Sequence, residues 1–122
     1  QRQMCIRDRF YEARSFNQPL NFNTEKVTDM SNMFYLAKSF NQLLNFTSTE
    51  NVTNMMWMFS CAESFNQPLN FNTENVESMK AMFNGARSFN QPLNFNTENV
   101  IDMAYMFANC PISEENKCSS LS

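Results

Sequence analysis

The sequence predicts an α/β solenoid, a stack of four strand–turn–helix repeats of 24–25 residues, and three observations lead there. The block SFNQPLNFNTENV occurs at Ser64–Val76 and again, letter for letter, at Ser88–Val100, with a one-residue variant at Ser15–Val27. Phe16, Phe40, Phe65 and Phe89 stand 24, 25 and 24 residues apart. Inside each copy a period-two stretch is followed by a stretch with helical spacing.

The copies run 13–36, 37–61, 62–85 and 86–109, with one extra residue in Thr47-Ser48-Thr49. Leu20 and Phe22 alternate with Asn21 and Asn23, as in a short half-buried strand. Pro19 lacks an N–H, so that strand begins after it; Leu43 takes its place in the second copy. Val27, Met30, Met33, Phe34 and Ala37 recur at three- and four-residue steps, the spacing of one helix face. Thr24 is placed as the helix N-cap and Glu25 in its first turn. One such unit cannot bury its apolar side alone, so the copies are expected to stack and align their Phe, Leu, Val and Met columns inside.

The ends read differently. Phe10-Tyr11-Glu12-Ala13 matches Phe34-Tyr35-Leu36-Ala37, the tail of an earlier copy. Residues 1–9, QRQMCIRDR, match nothing in the repeat, resemble read-through of a sequencing adaptor, and are expected to be non-native. Residues 110–122 leave the period at Pro111, and Glu114-Glu115 is expected to open a short cap or tail. No equivalent cap precedes Phe10, so more repeats are expected upstream in the native chain.

Composition narrows the function. The chain of 122 residues has 13 Phe, 10 Met, a single Gly and no His. The aromatic content argues for a packed core rather than disorder. Without His the commonest general base and metal ligand is missing, and one Gly cannot build a phosphate-cradling loop. The expectation is therefore a non-enzyme with no cofactor and no metal. Formal charge is −3; setting aside Arg2, Arg7, Arg9 and Asp8 leaves six basic and eleven acidic residues, net −5. An acidic stack without a basic stripe is not expected to bind nucleic acid. No run of 18 apolar residues marks a membrane span.

The pattern FNQPLNFNTENVxxMxxMF resembles the BspA-like bacterial surface-protein repeats, a short-repeat relative of leucine-rich repeats. The clearest segment is FNTEKVTDMSNMF at Phe22–Phe34. The resemblance covers Phe10 to about Cys110, with Phe where that family often has Trp and Glu where it often has Ser. It implies a leucine-rich-repeat-like α/β solenoid, a place on the cell surface or in secretion, and adhesion or binding to a protein or surface glycan. It transfers no catalytic residue.

Two sets of residues are candidate binding positions. Three amide columns never vary: Asn17/Asn41/Asn66/Asn90, Gln18/Gln42/Gln67/Gln91 and Asn21/Asn45/Asn70/Asn94. Either stacked amides bond to one another and to turn backbone, or they form a flat polar face for a partner. The columns at 31, 32, 35 and 36 drift. Met56, Trp57 and Tyr105 fall there and form a candidate outward aromatic patch.

Weaker signals remain. The column Glu25/Glu50/Glu74/Glu98 lines up carboxylates that could suit Ca²⁺, or simply a solvated charge row. Cys110 and Cys118 are close enough in sequence to pair in an oxidising compartment. The sequons at Asn45 and Asn51 permit glycosylation, with Asn45 disfavoured by its expected strand. The functional expectation is a non-catalytic binding or adhesion module. A spacer stiffened by amide ladders and an ice-binding array through Asn23/Thr24 are the alternatives.

Overall fold

The structure, a computed structural model, describes residues 9–21, 23–46 and 48–118. The core position Phe22, the extra residue Thr47, nearly all of the adaptor-like segment and the last four residues of the tail lie outside them.

The strand–turn–helix unit is overturned. Among the described residues the only helical element is a three-residue 3₁₀ turn at Glu114–Asn116. Strand pairing among them is reduced to three isolated parallel bridges, Asp29–Asn54, Asn54–Ser78 and Ser78–Asp102. The chain is instead a stack of turn-rich coils, and backbone hydrogen bonds explain why.

In the segment expected to be helical, alternate N–H groups leave their own coil. Met30, Asn32, Phe34 and Leu36 donate to the carbonyls of Asn54, Met56, Met58 and Ser60 in the next coil, at 2.9–3.0 Å. Between them, Met33, Tyr35 and Ala37 close tight turns onto Met30, Asn32 and Phe34. An α-helix needs every N–H to reach four residues back within one chain segment. Here half of them are spent between coils. Two residues per coil are also left-handed: Asn32, Trp57, Ala81 and Tyr105 in one column, Leu36, Cys61, Gly85 and Asn109 in the other, with φ of 53–76°. Left-handed backbone interrupts a right-handed helix and costs a non-glycine residue roughly 1–2 kcal/mol. The inter-coil ladder and the packing beneath it offset that cost.

Only Gly85 meets this demand without a Cβ. A Cβ built there would lie 3.1 Å from Cys61 Sγ of the preceding coil. Gly85→Ala is therefore expected to lower stability by about 1–2 kcal/mol, read as a lower midpoint in urea unfolding.

The other arm of the coil, expected to be a strand, alternates in and out without forming a ladder. Leu44, Leu69 and Leu93 are buried while Asn45, Asn70 and Asn94 are exposed. Here side-chain oxygens replace backbone carbonyls as acceptors. The N–H of Asn41 goes to Asn17 Oδ1 and that of Ser48 to Thr24 Oγ1. Thr24 is accordingly no N-cap. It is fully buried, and its hydroxyl both donates to the Ser48 carbonyl and accepts from the Ser48 N–H. Glu25 opens a turn, its N–H held by Asn23 Oδ1.

The core inside these arms is built of columns. Met30, Met33, Met55, Met58, Met79 and Met82 are fully buried. Phe10, Phe34, Phe59, Phe83 and Phe107 form one stacked file with centroids 5.4–5.8 Å apart. Phe16, Phe40, Phe65 and Phe89 form a second at 5.9–6.0 Å. Within a coil the two files touch, as at Phe59–Phe65, 4.4 Å. The extra residue of the second copy leaves the register intact: Thr49 bonds to Asn72 as Thr24 bonds to Ser48.

Candidate functional site

The invariant amides divide by what they bond. Asn17 Oδ1 accepts from the backbone N–H of Asn41 (2.9 Å) and from Gln42 Nε2 (3.0 Å). Asn41 does the same for Asn66 and Gln67, and Asn66 for Asn90 and Gln91. These two columns are joints between coils. The C-terminal turn completes the series with other residues: Asn90 Oδ1 accepts from the Ser113 N–H and from Asn116 Nδ2, each at 2.9 Å. That turn also takes the Leu93 N–H on the Asn116 carbonyl, and Lys117 lies 5.5 Å over the Phe107 ring.

Asn66→Ala removes the acceptor for both the Asn90 N–H and Gln91 Nε2. The joint is solvent-accessible, so a loss of about 1 kcal/mol is expected, and Asn66→Asp, which keeps an acceptor oxygen, is expected to lose less. Chemical denaturation of the two variants side by side checks this.

Asn21, Asn45, Asn70 and Asn94 are different: all four are exposed and none has a hydrogen-bond partner among the described residues. Gln18, next to Asn17 in the sequence, is likewise exposed. Asn45 and Asn70 help line a pocket of about 300 Å³ with Leu44, Phe46, Ser48, Thr49, Phe71 and Asn72. Asn45 is not in a strand, so that reason for disfavouring its sequon falls. The Asn51 amide, by contrast, is occupied, donating to the Glu25 carbonyl at 2.7 Å.

The aromatic patch is rearranged. Tyr105 is 70% exposed on the fourth coil, and buried Ala81 stands between it and Trp57 in their shared column. Met56 is half-buried. Trp57 instead faces the first coils. Tyr11 and Tyr35 stack at 5.2 Å with planes 18° apart, and Tyr35 meets Trp57 edge-on at 6.0 Å and 77°. Together with Asn32 these rings line an open groove of about 590 Å³. Sequence reasoning missed Tyr11, Tyr35 and Asn32. The signal was present, because Tyr11 and Tyr35 are aligned 24 residues apart and so must be neighbours in a stack.

Glu25, Glu50, Glu74 and Glu98 are all exposed. No group of three or more acidic or thiol side chains that could hold a metal ion occurs among the described residues. Cys61, Cys110 and Cys118 are free thiols. Burial pushes the Cys110 and Cys118 thiols up; at Cys110 the Ile112 backbone and the Lys117 charge pull the other way. Keeping them neutral favours the folded chain fully below their ordinary value of 9.0, and that contribution is lost as pH rises through the raised one. No helix among the described residues is long and apolar enough to cross a membrane.

A family model described as "Mycoplasma protein of unknown function, DUF285" matches residues 4–120. No curated protein and no solved structure matches the chain.

Proposed function

Since the chain belongs to this family of Mycoplasma proteins of unknown function, we propose that it acts as a non-catalytic binding module, a stiff stack of coils that presents a recognition surface. The observation that carries this reading is the Tyr11–Asn32–Tyr35–Trp57 groove. Its aromatic side chains sit where the same columns hold Ser60, Asn84, Ala108 and Ala81 in other coils. The stack closes equally well over those small residues, so the rings serve something other than folding. Tyr and Trp are the side chains most often found as interface anchors. The resemblance to BspA-like surface repeats supports adhesion to a protein or surface glycan as the form this binding takes.

The test is retention on an immobilised panel of glycans and extracellular matrix proteins, with the whole chain and with Trp57→Ala. The substitution copies Ala81, so the fold is expected to hold. Retention on some member of the panel that Trp57→Ala abolishes supports the module; no retention above background anywhere rejects it.

A second reading is favoured by a different observation. The Asn17/Asn41/Asn66/Asn90 oxygens are consumed by joints between coils, which suits a spacer whose amides only stiffen the stack. It expects Asn→Ala in that column to lower stability while Trp57→Ala changes no interaction.

A further inference from the structure

We propose that the Tyr11–Asn32–Tyr35–Trp57 groove is a subsite for an uncharged oligosaccharide. This rests on the binding-module reading and narrows it to one ligand class. The volume of about 590 Å³ falls within the range of roughly 300–1,000 Å³ occupied by small-molecule sites.

The ring geometry supplies one apolar plane beside a polar edge. Tyr35 is stacked on Tyr11, and the indole of Trp57 stands nearly perpendicular to it, at 77°. A pyranose has the matching shape: a C–H face that packs on an aromatic plane and a rim of hydroxyls that needs partners. Partners are at hand. The Trp57 indole N–H, the Tyr35 hydroxyl and the Asn32 side-chain amide engage no other group among the described residues. They offer donors and acceptors in a small space. None of the four lining residues is charged, so nothing there compensates an anionic or cationic ligand.

A proline-rich peptide is the competing occupant, because such segments also dock on Tyr and Trp. It needs a cleft between rings for the pyrrolidine. Tyr11 and Tyr35, stacked at 5.2 Å, leave none between them.

Trp57 is the only tryptophan in the chain, so its fluorescence reports on this groove alone. The probes are maltotriose, cellotriose and triacetylchitotriose, each titrated to about 10 mM against the whole chain, beyond the ~1 mM dissociation constant of a weak site. At least one is expected to give a saturable change in emission. Tyr35→Ser and Asn32→Ala, which copy Ser60 and Ala81 and keep the reporter, are expected to weaken it by ~10-fold or more with the thermal midpoint unchanged. Three results overturn the proposal: no saturation with any of the three, saturation by a proline-rich decapeptide instead, or saturation that both variants leave untouched. If the sugars fail while a protein is still retained on the panel in a Trp57-dependent way, the saccharide is rejected and the module stands. Loss of both rejects both.

Discussion

Phe59→Ala is expected to lower unfolding free energy by about 3–5 kcal/mol, the cost of truncating a fully buried Phe. The ring is 0% exposed and lies against three others, Phe34 at 5.4 Å, Phe65 at 4.4 Å and Phe83 at 5.6 Å. Alanine would leave a void at the crossing of two aromatic files, with rings on three sides that cannot close in without breaking their own stacking. Domain stabilities of about 5–15 kcal/mol make this a large fraction of the total. A stack adds a further consequence, because each coil is held only by its neighbours. Weakening the second coil is expected to broaden the guanidinium transition as the two ends begin to unfold separately. A variant that unfolds at the wild-type midpoint would show that the files do not carry the core. Phe107→Ala, on a half-buried end of the file, is the comparison and should cost less.

Thr73→Val is nearly the same shape yet is expected to cost about 1–3 kcal/mol in all, because it removes the shared partner of two backbone groups. Thr73 is 2% exposed. Its hydroxyl donates to the Asn96 carbonyl at 2.9 Å and accepts from the Asn96 N–H at 2.8 Å. A valine removes the partner of both Asn96 groups at once, on the buried side of an otherwise exposed residue. Thr73→Ser keeps the oxygen and loses only a methyl, so it should retain most of the stability. If the two variants unfold alike in urea, the hydroxyl bridge contributes nothing and the joint is held by packing alone.

These two residues also show what was legible. Column identity located the core: Met30, Met33, Phe34 and Ala37 were expected inside from their spacing and are fully buried. The same spacing suggested a helix, and that was the error. Steps of three and four residues bring side chains to one side in a helix, but a run of three-residue turns does so equally. What separates the two is the destination of the backbone N–H groups, and no side-chain pattern records it. The left-handed positions gave little warning either, since glycine stands at one of them, Gly85, while Trp57, Leu36 and Tyr105 stand at others. Thr24 was misassigned for a related reason. A threonine before an acidic residue suits a cap, whereas its partner here, Ser48, is a full period away. The aromatic groove was half legible: Trp57 stood out alone, while Tyr35 required reading neighbouring copies side by side.

The joints between coils have a consequence for how such a chain can change. Asn41 with Asn66, Asn66 with Asn90, and Asn90 with Ser113 make interchangeable contacts at 2.9 Å. An in-frame exchange between the near-identical blocks would remove or add a whole coil and still bring like groups together. Deleting residues 62–85 should therefore give a shorter protein that folds with the same groove and the same C-terminal turn, detectable as retained near-ultraviolet circular dichroism. Length in this architecture is a quantity that recombination can vary without redesigning any contact.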